Sequence, residues 1–168
     1  MNLSDQLSLE TSRRNTDYIA QYIGNDALLF DEVMQILFNG ESLLPLRASW
    51  VITAVTDQYP SLLKPYLPKI IENLINFNHT GIHRNLLRQL SEMSIPEELS
   101  GVLFDHCYQW LHSRTEPPAV KVHCMQLLFN ISEQEPDLKP ELRLVFEELA
   151  HHESAAIRSR TRLLLQKC

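Results

Sequence analysis

The sequence predicts an all-α solenoid, in which helix hairpins stack side by side and share one continuous core. Apolar residues follow helical spacing from about residue 12 onward. Only four glycines occur among 168 residues, which leaves little material for the Gly-rich turns of an all-β fold. Similar residues also recur at a nearly constant interval, which is the signature of a repeat architecture.

The predicted helices are bounded by residues that start or stop a helix. Asp26 stands at an N-cap position, and Pro45 and Pro118 fit first-turn positions, where a missing N–H is harmless. Gly24 and Gly40 follow apolar runs, where a helix often ends on a residue with positive φ. The nine predicted helices span roughly residues 12–23, 26–38, 45–58, 61–77, 81–94, 97–112, 118–133, 138–151 and 155–167.

Two columns of residues carry the repeat. Arg47, Arg84, Lys121 and Arg158 are spaced by 37 residues, and each opens a predicted helix. An apolar column runs through the intervening helices at a spacing of four, four and three, which places its members on one helical face. The members of this apolar column are Leu63, Leu67, Ile71 and Leu74, then Leu99, Leu103, Cys107 and Trp110, then Leu138, Leu142, Phe146 and Leu149.

This pattern resembles the HEAT repeat family, in which an apolar first helix and a short turn precede a Val-Arg-like pair that opens the second helix. The pairs here are Leu46-Arg47, His83-Arg84, Val120-Lys121 and Ile157-Arg158. The resemblance implies a right-handed α-α superhelix of about four helix pairs within one domain, residues 12–168. Its repeats are 26–60, 61–96, 97–136 and 137–168, preceded by a cap helix at 12–23. Residues 1–11 carry no pattern and are expected to be flexible.

The resemblance also implies that the second helix of each pair lines a concave side, where a row of cations forms the candidate binding surface. Such cations can hold an acidic or phosphorylated peptide through charge-assisted hydrogen bonds. The alternative is an internal ladder, in which each cation is tied to a carboxylate or to helix-end carbonyls. Trp50 follows Arg47 closely and could add an aromatic anchor. The candidate binding residues are Arg47, Trp50, Arg84, Arg88, Lys121, Arg158 and Arg162, with Arg160 nearby.

Catalysis and metal binding find little support in the sequence. His79 and His83 are spaced i, i+4, but His79 falls in a turn, and Cys107 belongs to the apolar column. No HExxH, CxxC or Gly-rich phosphate loop occurs. We therefore predict no catalytic residues, no metal site and no cofactor.

Charge and hydropathy limit the choice of partner and location. The net charge of −6 disfavours a general nucleic-acid binder, and no apolar run is long enough to span a bilayer. Three cysteines without CxxC spacing fit a reduced, cytoplasmic setting. The predicted function is a non-catalytic protein-interaction module or scaffold that takes a protein or an acidic or phosphorylated peptide. The alternative is a nucleic-acid or damaged-base binder similar to HEAT-like DNA glycosylases. Leucines 163–165 also predict a homodimer through the last helix.

Overall fold

The computed structural model describes residues 1–168, and it consists of ten α-helices, three short 3₁₀ helices and no strand. The predicted all-α class is therefore confirmed. None of the helices combines the length and apolar character that crossing a membrane requires. The helices are α1 (Leu3–Leu9), α2 (Arg13–Ile23), α3 (Ala27–Asn39), α4 (Leu44–Thr56), α5 (Leu67–Asn73), α6 (Thr80–Ser91), α7 (Glu97–His112), α8 (Pro118–Gln134), α9 (Lys139–Leu149) and α10 (Ala155–Leu165), and the 3₁₀ helices are Pro60–Tyr66, Leu74–Asn76 and Pro136–Leu138.

The chain forms two compact units, Met1–Ile70 (unit 1) and Ile71–Cys168 (unit 2). In unit 1, α4 packs against α1, α2 and α3. The core of this unit is apolar, because the side chains of Ile19, Phe30 and Val51 are completely buried. Helix α3 begins at the predicted N-cap, where the Asp26 carboxylate accepts hydrogen bonds from two backbone amides.

In unit 2, the helices that come second in each pair lie side by side. Helix α8 packs against both α6 and α10, while α7 packs against α8 and α9 packs against α10. Most of the predicted apolar column is buried here, since Leu103, Cys107 and Phe146 have no exposed surface. Its members Trp110, Leu138 and Leu149 are half-buried. Because α6, α8 and α10 are neighbours, their solvent-facing residues share one surface.

The first residues of the chain differ from the prediction that residues 1–11 are flexible. Residues Leu3–Leu9 form helix α1 rather than a flexible segment, and the side chains of Leu3 and Leu7 are 0% and 2% exposed. The Asn15 amide also donates to the backbone oxygen of Gln6 at 2.9 Å, which ties α1 to α2. Two buried leucines in a seven-residue helix are too few to give a periodic pattern, so tertiary packing decides this segment.

The helix predicted at residues 61–77 is divided by its prolines. A 3₁₀ helix covers Pro60–Tyr66, α5 covers Leu67–Asn73, and another 3₁₀ helix follows. Proline has no N–H to donate and its ring crowds the preceding turn, so Pro65 cannot lie inside a continuous α-helix. Pro68 is tolerated because it falls in the first turn of α5.

The helix-ending glycines behave differently from each other. Gly24 has φ 51° at the end of α2, as predicted. Gly40 has φ −70°, and the positive φ falls instead on Ser42, at 56°. Glycine is still required at position 40, because a Cβ there would lie 2.5 Å from the Ile36 carbonyl oxygen.

Candidate functional site

The four cations spaced by 37 residues, Arg47, Arg84, Lys121 and Arg158, are called the basic column. Its first member, Arg47, is bound to the end of α1. Its Nη1 donates to the backbone oxygens of Leu7 at 2.7 Å and Ser8 at 3.2 Å. The last carbonyls of a helix lack partners within the helix and carry partial negative charge, so a guanidinium group stabilises them. Arg47 therefore fastens α1 to α4 within unit 1.

Lys121 and Arg158 make the same kind of contact in unit 2. Lys121 Nζ donates to the backbone oxygen of Ser113, directly after α7, and the Lys121 residue is only 9% exposed. Arg158 Nη1 donates to the backbone oxygens of His152 at 2.8 Å and Glu153 at 2.7 Å, in the turn after α9. Together with Arg47 they form an internal ladder. Lys121 and Arg158 each connect a second helix to the end of the first helix of the pair, whereas Arg47 connects α4 to α1.

The equivalent position in α6 is His83 and not Arg84. Arg47, Lys121 and Arg158 each lie four residues after the N-cap of their helix, and His83 lies four residues after the N-cap of α6, His79. His83 is 7% exposed, whereas Arg84 is exposed to solvent. One residue corresponds to a rotation of about 100° around a helix, which takes Arg84 out of the ladder.

His83 sits in an aromatic and acidic environment. Its ring stacks on Trp110 with centroids 4.4 Å apart, and its Nδ1 is 4.0 Å from Glu116 Oε1. Burial lowers the pKa of His83, and this effect outweighs Glu116 and the backbone carbonyls of Phe77 and Leu74, which act to raise it. The imidazole is therefore neutral at neutral pH, unlike the cations of the ladder.

Charge is segregated between the two sets of helices in unit 2. The first helices, α7 and α9, carry six acidic and two basic residues. The second helices, α6, α8 and α10, carry six basic residues and one acidic residue. The acidic residues of α7 and α9 are Glu97, Glu98, Asp105, Glu141, Glu147 and Glu148. The second helices carry Arg84, Arg88, Lys121, Arg158, Arg160 and Arg162, against a single acidic residue, Glu133.

A chain of hydrogen bonds crosses the three second helices. Arg160 Nη1 on α10 donates to Gln126 Oε1 on α8 at 2.7 Å, and Gln126 Nε2 donates to Asn130 Oδ1 at 2.8 Å. Asn130 Nδ2 in turn donates to the backbone oxygen of Ser91 on α6, also at 2.8 Å. These bonds hold the Arg160 guanidinium against α8 before any ligand arrives.

His123 lies on the face of α8 that also carries Gln126 and Asn130. Burial and the charges of Arg160, Arg88 and Arg84 lower the pKa of His123 to about 4. Arg84 Nη2 makes one long hydrogen bond, 3.4 Å, to Asn85 Oδ1, and Arg88 Nε lies 3.9 Å from Glu92 Oε1. Arginines from α6 and α10 thus act on one half-buried ring on α8. We call the surface formed by Arg84, Arg88, His123, Gln126, Asn130 and Arg160 the cationic face.

The other predicted binding residues lie elsewhere. Trp50 is half-buried on α4 in unit 1, and exposed Arg162 donates from Nε to the Arg158 backbone oxygen at 3.4 Å. The binding roles assigned to them and to the ladder cations stay predictions. The predicted binding surface did not include His123, Gln126 or Asn130. Their spacing of three and four, at positions 123, 126 and 130, repeats on one helical face and could have identified them.

The histidines and cysteines do not assemble into a metal centre. His79 Nδ1 accepts a hydrogen bond from the Gly81 amide at 3.0 Å and thereby caps α6. Cys107 and Cys124 are buried, and burial together with the neighbouring Cys124 raises the pKa of the Cys107 thiol. The structure contains no group of three His, Cys, Asp or Glu side chains that could hold a metal ion.

The helix pairs and the side-by-side packing of second helices in unit 2 define a helical repeat protein. A family model described as HEAT repeat domain matches residues 3–168, so the chain belongs to the HEAT repeat family. The match includes α1 and α2 and therefore extends beyond residues 26–168, the range of the predicted resemblance. No curated protein and no solved structure matches the chain.

Proposed function

We propose that the chain is a non-catalytic protein-interaction module that binds an acidic segment of a partner on the cationic face of unit 2. HEAT repeats commonly mediate protein interactions, which supports the general assignment. The observation that carries the choice of surface is the charge segregation in unit 2. A chain with a net charge of −6 keeps its second helices basic, and complementary charge guides both partner choice and association rate.

The internal ladder supports this choice because its cations are already bound to other groups within the protein. Arg47, Lys121 and Arg158 are occupied with backbone carbonyls, so their donors are partly satisfied inside the protein. Arg84 and Arg160 face the surface around His123, and a guanidinium group has five N–H donors. Arg160 uses one of its nitrogens for Gln126 and keeps further donors for a ligand.

The test is the binding of a fluorescent octapeptide of glutamate, followed by fluorescence anisotropy at pH 7 and low salt. We expect the double variant Arg84→Gln/Arg160→Gln to weaken binding by about tenfold or more, because two charge-assisted contacts are lost. The matched control is Lys139→Gln/Arg143→Gln, which removes the same charge from α9. Equal loss in both variants would show that only the net charge matters and would overturn the assignment.

Nucleic-acid binding is the alternative that the same basic face supports. A duplex contacted by several cations would lose affinity steeply as salt is added, by orders of magnitude between roughly 50 and 200 mM. The acidic residues of α7 and α9 oppose such binding, since a long polyanion is repelled by them. Tighter binding of duplex DNA than of the acidic peptide at the same salt concentration would favour this alternative.

A further inference from the structure

Helix α8, which carries His123, lies between two helices that carry arginines, α6 and α10. Arg84 and Arg88 are one turn apart on α6, and Arg160 is held on the other side of α8 by its hydrogen bond to Gln126. Arginines on both sides of α8 therefore flank the face that carries His123, Gln126 and Asn130, to which α10 and α6 are hydrogen-bonded. Such an arrangement suits a compact group with more than one negative charge.

We propose that the group held beside His123 is a phosphate monoester on a side chain of the partner segment. This inference rests on the proposed function, because it specifies the acidic group that the cationic face receives. A phosphorylated side chain brings nearly two negative charges and three acceptor oxygens to one point. Arginine pairs with phosphate through two parallel N–H donors, so one phosphate can be shared between α6 and α10.

A carboxylate fits the same geometry less well. It carries one charge on two oxygens in one plane, and one arginine can satisfy both oxygens. Arginines on opposite sides of α8 would then need two separate acidic residues at a fixed spacing. A tetrahedral group presents oxygens in both directions and meets both arginines from one residue.

His123 adds a proton-linked contact to this site. The ring is neutral at pH 7 because burial and the three arginines hold its pKa low. A bound dianion offsets the charge of the arginines, so the pKa of His123 rises and the ring becomes more able to take a proton from solvent. The protonated ring then donates a hydrogen bond to a phosphate oxygen. The His123 ring is therefore a reporter that lies inside the proposed site.

The experiment uses the full chain with ¹³C-labelled histidine rings and three alanine nonapeptides that differ at the centre. One peptide carries phosphoserine, one carries two adjacent aspartates as a charge-matched probe, and one carries serine. We expect the phosphoserine peptide to shift the His123 ring signals, to raise the His123 pKa and to bind about tenfold more tightly than the aspartate peptide. Arg160→Gln should remove this preference, Arg160→Lys should keep only part of it, and Arg143→Gln should leave it unchanged.

The outcomes separate the two proposals. Equal affinity for the phosphoserine and aspartate peptides would overturn the phosphate assignment and leave the acidic-segment function standing. If neither the phosphoserine nor the aspartate peptide binds, and the glutamate peptide does not bind either, both proposals are overturned. Circular dichroism and the thermal midpoint of each variant show whether it is folded. If Arg160→Gln fails to fold, Arg84→Gln tests the same preference from α6.

Discussion

The imidazole of His83 stacks on the indole of Trp110, with ring centroids 4.4 Å apart and planes inclined by 27°. Burial lowers the pKa of His83 in the folded state, and the corresponding value in the unfolded chain is the ordinary 6.5. The unfolded state therefore binds a proton more readily than the folded state does. The free energy of unfolding consequently decreases as the pH falls through about 6.5. His123 acts in the same direction, with a folded-state pKa of about 4.

We predict that the free energy of unfolding of the wild type decreases between pH 7.5 and pH 5.5, and that His83→Gln reduces this decrease. Urea unfolding at the two pH values measures the difference, and any loss of packing from the substitution affects both values. His151→Gln, an exposed position in the turn before α10, is the matched control. The same pH-dependent loss in wild type and His83→Gln would contradict the assignment.

The two glycines at positions 40 and 101 provide a matched pair for stability. A Cβ at Gly40 would lie 2.5 Å from the Ile36 carbonyl oxygen, whereas a Cβ at Gly101 meets no heavy atom within 4 Å. We expect Gly40→Ala to destabilise the protein by about 1–3 kcal/mol, because the backbone must move. Gly101→Ala, in an exposed part of α7, should stabilise it by up to about 1 kcal/mol. Chemical denaturation measures both, and a stabilising Gly40→Ala would refute the close contact.

The last helix presents one leucine to solvent. Leu163 is 54% exposed on α10, whereas the adjacent Leu164 is 1% exposed. If the predicted homodimer forms through this helix, multi-angle light scattering at micromolar concentration should give twice the chain mass, and Leu163→Asp should restore the monomer. Leu144→Asp, which changes an exposed leucine on α9, should remain a dimer. A monomeric wild type would remove the dimer prediction.

The fold was predictable because several local signals agree. Apolar residues at helical spacing, the N-cap at Asp26 and first-turn prolines at Pro45 and Pro118 all mark helices that the structure contains. Helix α1 was not predictable, since its stability comes from tertiary contacts such as the burial of Leu3 and Leu7. Local patterns report on a helix only when it is long enough to repeat them.

The candidate site was predictable only in part. The sequence identifies the second helices as the basic ones, and it names Arg84 and Arg88, which belong to the cationic face. The sequence alone does not show that Arg84 and Arg158 have different environments, because both belong to the same series spaced by 37 residues. The N-cap of α6 lies five residues before Arg84, whereas the N-caps of α8 and α10 lie four residues before Lys121 and Arg158. This difference of one residue moves Arg84 from the ladder to the surface. This shift can be recognised only from the residues at which the helices begin in the structure.

The basic column contains internal cations and surface cations with different roles. The most direct test compares the unfolding free energies of Arg158→Gln and Arg84→Gln, which both lie in unit 2. We predict that Arg158→Gln loses about 1.5–3 kcal/mol, because charged hydrogen bonds to the carbonyls of His152 and Glu153 are broken. Arg84→Gln should stay within about 0.5 kcal/mol of the wild type, as is usual for a surface position. Equal losses of unfolding free energy in the two variants would show that Arg84 also belongs to the ladder.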